Sequence, residues 1–185
     1  MTDLISDDYK HLLAKKHDDK PWGGAGKSWV PHILPLLNKF PSGPITILDF
    51  GCGRGTFKPA IEELHPDVTV VEYDPGVKGK DSPLLLTKPV DYVVCTDVME
   101  HVEEQYVADT LRTINWVAIT GVFFNIDLAL SKSFLPDGRN THITIKPAKW
   151  WLEQLDTHIP EMKWTVHEES RGRIVVSGWR QKHVE

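Results

Sequence analysis

The chain has little cysteine, no long apolar run and no basic tract, and each shortage removes a class of explanation. Its two cysteines are Cys52 and Cys95. Two thiols make no disulfide framework, and without a CxxC spacing they make no zinc site. No apolar stretch approaches the roughly 20 residues needed to cross a bilayer. The opening MTDLISDDYK is too polar for a secretory signal, so the expected location is cytoplasmic. A net charge of −5 argues against an extended nucleic-acid surface, because such binding rests on neutralising phosphates. Internal repeats and low-complexity segments are also missing.

What is there reads as one globular domain: 185 residues, 41% apolar and 25% charged. Residues 6–17 predict an amphipathic helix with Tyr9, Leu12 and Leu13 on one side. A loop over 20–28 leads to a helix near 29–39, which Pro35 must start, kink or interrupt. After FPSGP the pattern alternates. ITILDF (45–50), VTVVEY (68–73), DYVVC (91–95) and GVFFNI (121–126) predict strands. Helices are expected at 56–65, with Phe57, Ala60, Ile61 and Leu64 on one face, and at 97–117, with Val107, Leu111 and Ile114 on one face. PAKWWLEQL (147–155) predicts a last helix, and MKWTVHE and RIVVSGW a closing hairpin. Strand–helix alternation ending in a hairpin predicts an α/β fold with a mostly parallel sheet.

Two glycine-rich stretches compete for a nucleotide-like ligand. PWGGAGKSW (21–29) carries the Gly26-Lys27-Ser28 tail of a phosphate loop. The full pattern needs a glycine where Pro21 stands and a buried strand before it, where HLLAKKHDDK is charged and helix-like. ILDFGCGRGTF instead sits at the carboxyl end of a strand that opens a helix, the ligand-binding edge of an open α/β sheet. Gly51, Gly53 and Gly55 let the backbone turn tightly and a ligand approach. Asp74, 19 residues past Gly55, ends the next strand where a carboxylate can hold ribose hydroxyls. The spacing is GxGxG and not the dinucleotide GxGxxG. Asp49, just upstream, would repel a pyrophosphate but attract a cationic amine or sulfonium.

ILDFGCGRGTF, VVEYDP, DYVVCTDVMEHV and the terminal hairpin together resemble the class I S-adenosylmethionine-dependent methyltransferases, over residues 45–180. The chain is also similar to methyltransferase-like proteins of bacteria and their phages. The resemblance implies a three-layer Rossmann-like fold with a seven-stranded, mostly parallel sheet and an antiparallel last strand. It implies a core over 45–185, preceded by N-terminal helices over 1–44. Asp49, Gly51, Cys52, Gly53 and Gly55 would hold the methionine moiety, Tyr73 and Asp74 the ribose end, and Thr96 and Asp97 the adenine or methionine part. Trp22 and Gly23 would belong to a lid over the cofactor, the alternative being a linker that docks the N-terminal helix. The DPPY-like motif of amino-methylating DNA enzymes is absent.

The remaining candidates are polar. Asp97, Glu100 and His101 share one face at the start of the predicted helix, where Asp97 could cap and Glu100 complete a capping box. With His142 they make two carboxylates and two imidazoles, a set that suits a divalent metal. Small-RNA 2′-O-methyltransferases hold a metal with a similar cluster, but nothing here resembles their RNA-end-binding parts, and no metal ligand is assigned. The loop LPDGRNTHITIKP is either plain polar surface or the acceptor side of the site. In the second case Arg139 would clamp an anionic or planar acceptor, and His142 would act as base or positioner. The candidate catalytic set is therefore Glu100, His101, Arg139 and His142. Trp150 and Trp151 are expected to pack their helix onto the sheet. The expected activity is methyl transfer to a small-molecule or nucleotide-type acceptor, the alternative being a silent cofactor-binding module.

Overall fold

The computed structural model describes residues 3–18, 22–40 and 42–181. Lys20 and Pro21 of the predicted loop, Pro41 of FPSGP, and residues 1–2 and 182–185 at the ends of the two expected units lie outside the described residues. The elements in chain order are α1 (Asp7–His17), α2 (Val30–Leu37), β1 (Ile45–Phe50), α3 (Phe57–Leu64), β2 (Val68–Tyr73), β3 (Val90–Thr96), α4 (Val107–Val117), β4 (Ala118–Asp127), α5 (Ala148–His158), β5 (Met162–Glu169) and β6 (Arg173–Arg180).

The strands form one sheet in the order β2-β1-β3-β4-β6-β5. β1 pairs parallel with β2 and β3, and β3 with β4; β6 runs antiparallel to β4 and to β5. The antiparallel last strand is thus as expected. Strand number is corrected: among the described residues the sheet has six strands, not seven. Between β2 and β3 the chain makes only turns and a single 3-10 turn at Pro83–Leu86, because Pro75, Gly76, Gly79, Pro83 and Pro89 interrupt any extended run. β2 is therefore a sheet edge. Its outward-facing Val70 is satisfied from α3: Val70 N donates to Glu62 Oε1 at 2.8 Å, and Lys58 Nζ donates to Val70 O at 2.7 Å.

Both faces of the sheet are covered, which gives the expected three layers. On one face α4 and α5 bury Leu111, Ile114, Trp151 and Leu155 against Leu48, Val93, Val122 and Phe124. On the other, α2 and α3 bury Ile33, Leu37, Phe57 and Ile61 against Ile47, Val70, Tyr92 and Phe123. Trp151 is fully buried, as expected of a packing residue, while Trp150 is half-buried beside it. Leu64, placed by periodicity on the buried face of α3, is 61% exposed at the helix end.

The long helix expected over 97–117 starts only at Val107. Upstream lie two 3-10 turns, Met99–His101 and Glu104–Tyr106, separated by extended backbone at Val102 and Glu103. The cause is a rival set of donors. The carbonyl of Glu100 accepts from Ile143 N and Thr144 N, and that of Val102 accepts from Thr144 Oγ1. Those carbonyls are taken by the 141–144 loop and cannot close α-helical turns.

Candidate functional site

β1 has β2 on one side and β3 on the other, so a crevice opens where their connections diverge, at the carboxyl ends of the strands. A cavity of ≈ 400 Å³ occupies it. Its floor includes Phe50, Gly51, Gly53, Tyr73, Asp74, Asp97 and Val98. α1 and the following segment form the opposite wall through Tyr9, Leu13, His17, Trp22, Gly23 and Ala25.

The glycine loop is fixed by backbone geometry. Gly51, Gly53 and Gly55 all have positive φ, which only glycine adopts without strain. A Cβ on Gly53 would also lie 2.5 Å from the Gly23 carbonyl oxygen, so the segment after α1 seats directly on the loop. Arg54 N donates to Gly23 O at 2.8 Å, and Thr56 Oγ1 donates to Gly24 O at 3.0 Å. The Gly26-Lys27-Ser28 tail, by contrast, lies in a four-residue 3-10 turn, and among the described residues no strand precedes it.

Asp74 anchors the other side of the loop. Its Oδ2 accepts from Gly53 N and its Oδ1 from Gly76 N, both at 2.8 Å, with His17 Nε2 3.5 Å away. Each carboxylate oxygen has a second lone pair, so capacity for a ligand hydroxyl remains. Asp49, Cys52, Gly55 and Thr96 do not line the cavity. Asp49 is buried beneath the loop in register with Glu72; its Oδ2 has no hydrogen-bond partner. Burial, with Glu72 and Asp74 adding repulsion, pushes its carboxyl up to about 7. Burial likewise pushes the Cys52 thiol up, so it packs as an uncharged side chain.

Across the cavity the structure assembles a second group from three chain segments. Asp97, in the left-handed region at φ 56°, accepts from Trp29 Nε1 at 2.9 Å and from Asn125 Nδ2 at 2.5 Å. Glu100 is no helix-capping residue: it is fully buried, and neither carboxylate oxygen has a side-chain partner. Burial first, then Asp97 and Asp127, hold its carboxyl well above the ordinary range. His101 and His142 face each other edge-on with ring centroids 4.8 Å apart, and both line the cavity. His101 Nδ1 contacts Thr141 O at 2.6 Å and His142 Nδ1 contacts Ala129 O at 2.7 Å. A carbonyl only accepts, so both Nδ1 atoms carry a proton, and in the neutral form of each ring Nε2 is the lone-pair atom. Burial and the neighbouring His142 lower His101 to about 4, so its ring is neutral at pH 7. Arg139 stands outside the cavity wall, paired with Asp137 at 2.7 Å and over the Tyr9 ring at 5.8 Å.

The wall also holds residues that the sequence did not single out: His17, Val98, Glu103, Thr110 and Asp127. The i, i+4, i+8 spacing of Tyr9, Leu13 and His17 marks one face of α1 and was the available signal. Asp127 ends a buried strand on the ligand-binding edge, which was the other. Tyr9 Oη, His17 Nδ1 and Thr110 Oγ1 are buried without partners. Three orphaned polar atoms in one apolar cavity fit a ligand with several hydrogen-bonding groups, which an adenosine and amino-acid cofactor offers.

A doubly covered, mostly parallel sheet with an antiparallel last strand, a GxGxG turn after β1 and an acid at the end of β2 are the features of the class I S-adenosylmethionine-dependent methyltransferase fold. More particularly, the chain belongs to the methyltransferase domain family whose model matches residues 11–165. No curated protein matches it. Among solved structures it is similar to a Burkholderia thailandensis 1,6-didemethyltoxoflavin-N1-methyltransferase with S-adenosylhomocysteine bound. The TM-score is 0.65 at 14% identity, over 98% of this chain and 93% of that one. It is also similar to a Synechocystis magnesium protoporphyrin IX methyltransferase with S-adenosylmethionine bound, at TM-score 0.60 and 12% identity, over 97% and 100%. A third, a Nostoc punctiforme candidate O-methyltransferase, gives TM-score 0.61 at 12% identity over 91% of this chain. This chain spans 60% of that protein's length. No helix among the described residues is long and apolar enough to cross a membrane.

Proposed function

We propose that the chain binds S-adenosylmethionine in the ≈ 400 Å³ cavity and transfers its methyl group to a small-molecule or nucleotide-type acceptor. The observation that carries this is the cavity's floor: glycine backbone at Gly51 and Gly53 beside the Asp74 carboxylate, at the carboxyl ends of β1 and β2. The cofactor supplies a methyl group on a positively charged sulfur. Asp74 takes the ribose hydroxyls, and Gly51 and Gly53 admit the methionine end. Asp49 acts from beneath the loop, as a buried carboxylate whose ionised form a neighbouring cation favours. Trp22, in edge contact with His17 at 4.5 Å and His101 at 5.7 Å, closes the cavity against water.

The acceptor enters on the side of Asp97, His101, Asp127 and His142. The polar side chains there orient the acceptor toward the sulfonium, and alignment supplies most of the rate. Arg139 acts at the rim, through its stacking on Tyr9. Both structural relatives with a named acceptor take small molecules, and a cavity of this size suits the same class.

Calorimetry with S-adenosylmethionine, S-adenosylhomocysteine and NAD tests the cofactor: binding of the first two alone is expected, and binding of NAD alone overturns the reading. A screen for S-adenosylhomocysteine release across hydroxyl, amine and thiol acceptors tests turnover. Tight cofactor binding with no release for any acceptor favours a silent regulatory module.

A further inference from the structure

Three carboxylates converge on one point, and among the described residues none of them is ion-paired with a lysine or arginine. Asp97, Glu100 and Asp127 each bring a carboxylate oxygen within 4.8 Å of the others. Arg173, near Asp127, is spent on Glu168 at 2.9 Å. Glu100 is 0% exposed, and no side-chain donor meets either of its oxygens. A buried carboxylate in that condition is strongly destabilising unless a cation or a proton meets it.

The same Glu100 belongs to a second cluster, with ligand atoms of His101 and His142 again within 4.8 Å. Asp127 Oδ2 lies 4.0 Å from His142 Nε2. Both imidazoles are already set in the tautomer that leaves Nε2 as the lone-pair atom, because each Nδ1–H is held by a backbone carbonyl. That outer hydrogen bond is how metal-binding histidines are commonly oriented. Asp97 differs from the other acids: both its oxygens are engaged, by Trp29 and Asn125.

We propose that Glu100, His101, His142 and Asp127 bind one divalent first-row metal ion, with Asp97 supplying charge from just outside the ligand set. Two imidazoles with two carboxylates suit Mn²⁺, Fe²⁺ or Zn²⁺ over a hard, all-oxygen ion. His101, Asp127 and His142 line the cavity, so the ion's remaining positions face the acceptor. On the methyltransferase reading, the ion would make an acceptor hydroxyl bound there more acidic, its proton passing to solvent as the oxygen takes the methyl group, which narrows the acceptor to an oxygen nucleophile. Metal binding itself does not rest on that reading.

The test uses the full chain, stripped with chelator and titrated with Mn²⁺ alone, without cofactor or acceptor. Free Mn²⁺ is followed by electron paramagnetic resonance. One equivalent bound per chain is expected, and Glu100→Gln and Asp127→Asn should each weaken binding at least about tenfold. Spin-echo modulation of the bound Mn²⁺ in the unmutated protein should show imidazole nitrogen, an outcome independent of how the variants fold. Absence of stoichiometric binding, absence of nitrogen coupling, or unaltered affinity in folded variants overturns the site. Calorimetry with S-adenosylhomocysteine on the metal-free protein reports separately on the methyltransferase reading.

Discussion

The two sides of the cavity are built in opposite ways. On the β1–β2 side the working parts are main-chain atoms: positive-φ glycines, the N–H groups of Gly53 and Gly76 on Asp74, and the Gly23 carbonyl on Arg54. On the β3–β4 side they are side chains from residues 97–101, 127 and 142. On the first side the Asp74 carboxylate already holds two loop N–H groups before any ligand arrives. The second leaves both oxygens of Glu100 without a side-chain partner in the interior. A site that must hold one invariant cofactor can afford rigid backbone; a site for chemistry keeps unsatisfied groups in reserve.

Substitutions should break the two sides differently. The largest effect is expected at Gly53→Ala, where a Cβ meets a carbonyl oxygen at 2.5 Å in a left-handed backbone. Affinity for S-adenosylhomocysteine should fall by more than about 100-fold, on the scale of ~3 kcal/mol, as read by calorimetry. Next comes Asp74→Asn, which keeps the shape but removes the charge accepting two backbone N–H bonds; about 10- to 100-fold weaker cofactor binding is expected, ~1.5–3 kcal/mol. An affinity within twofold of the parent would take Asp74 out of the site.

Asp49→Asn comes third, and its readout is pH. The folded carboxyl sits near 7, above its ordinary value of 3.8, so the unfolded chain releases this proton first. Its contribution to cofactor-free stability is therefore full in acid, declines as pH rises from about 4 to 7, and is then constant. The variant should flatten that decline and gain on the order of 1–3 kcal/mol at pH 8, measured by denaturant titration at several pH values. His101 gives the opposite slope on the other side of the cavity: with its folded value near 4, stability is lost as pH falls from about 6.5 toward 4. The smallest effect is Trp22→Ala, expected to speed cofactor release several-fold, about 1 kcal/mol, in stopped-flow displacement.

The same contrast explains what the sequence could show. A GxGxG turn between a strand and a helix, and an acid ending the next strand, are local patterns whose geometry follows from a few adjacent residues. The glycine-loop side was legible for that reason. The other side has the pattern of a helix start, because Asp97, Glu100 and His101 have helical spacing. Hydrogen bonds from Ile143 and Thr144, more than 40 residues away, take the Glu100 carbonyl and unmake that helix. Asp127 joined the cluster only through the pairing of β3 with β4, which places Thr96 opposite Asn125. The seventh strand was implied by resemblance alone, and the prolines and glycines between β2 and β3 already spoke against it.

That shortened sheet gives the Lys58–Glu62 pair of α3 a task beyond surface charge. A bare strand edge is a template on which another chain can extend the sheet. Here a lysine and a glutamate one helical turn apart fill the vacant donor and acceptor of Val70, standing in for the strand that is not there. Two side chains of one helix thus cover a stretch of sheet edge on which another chain could otherwise pair.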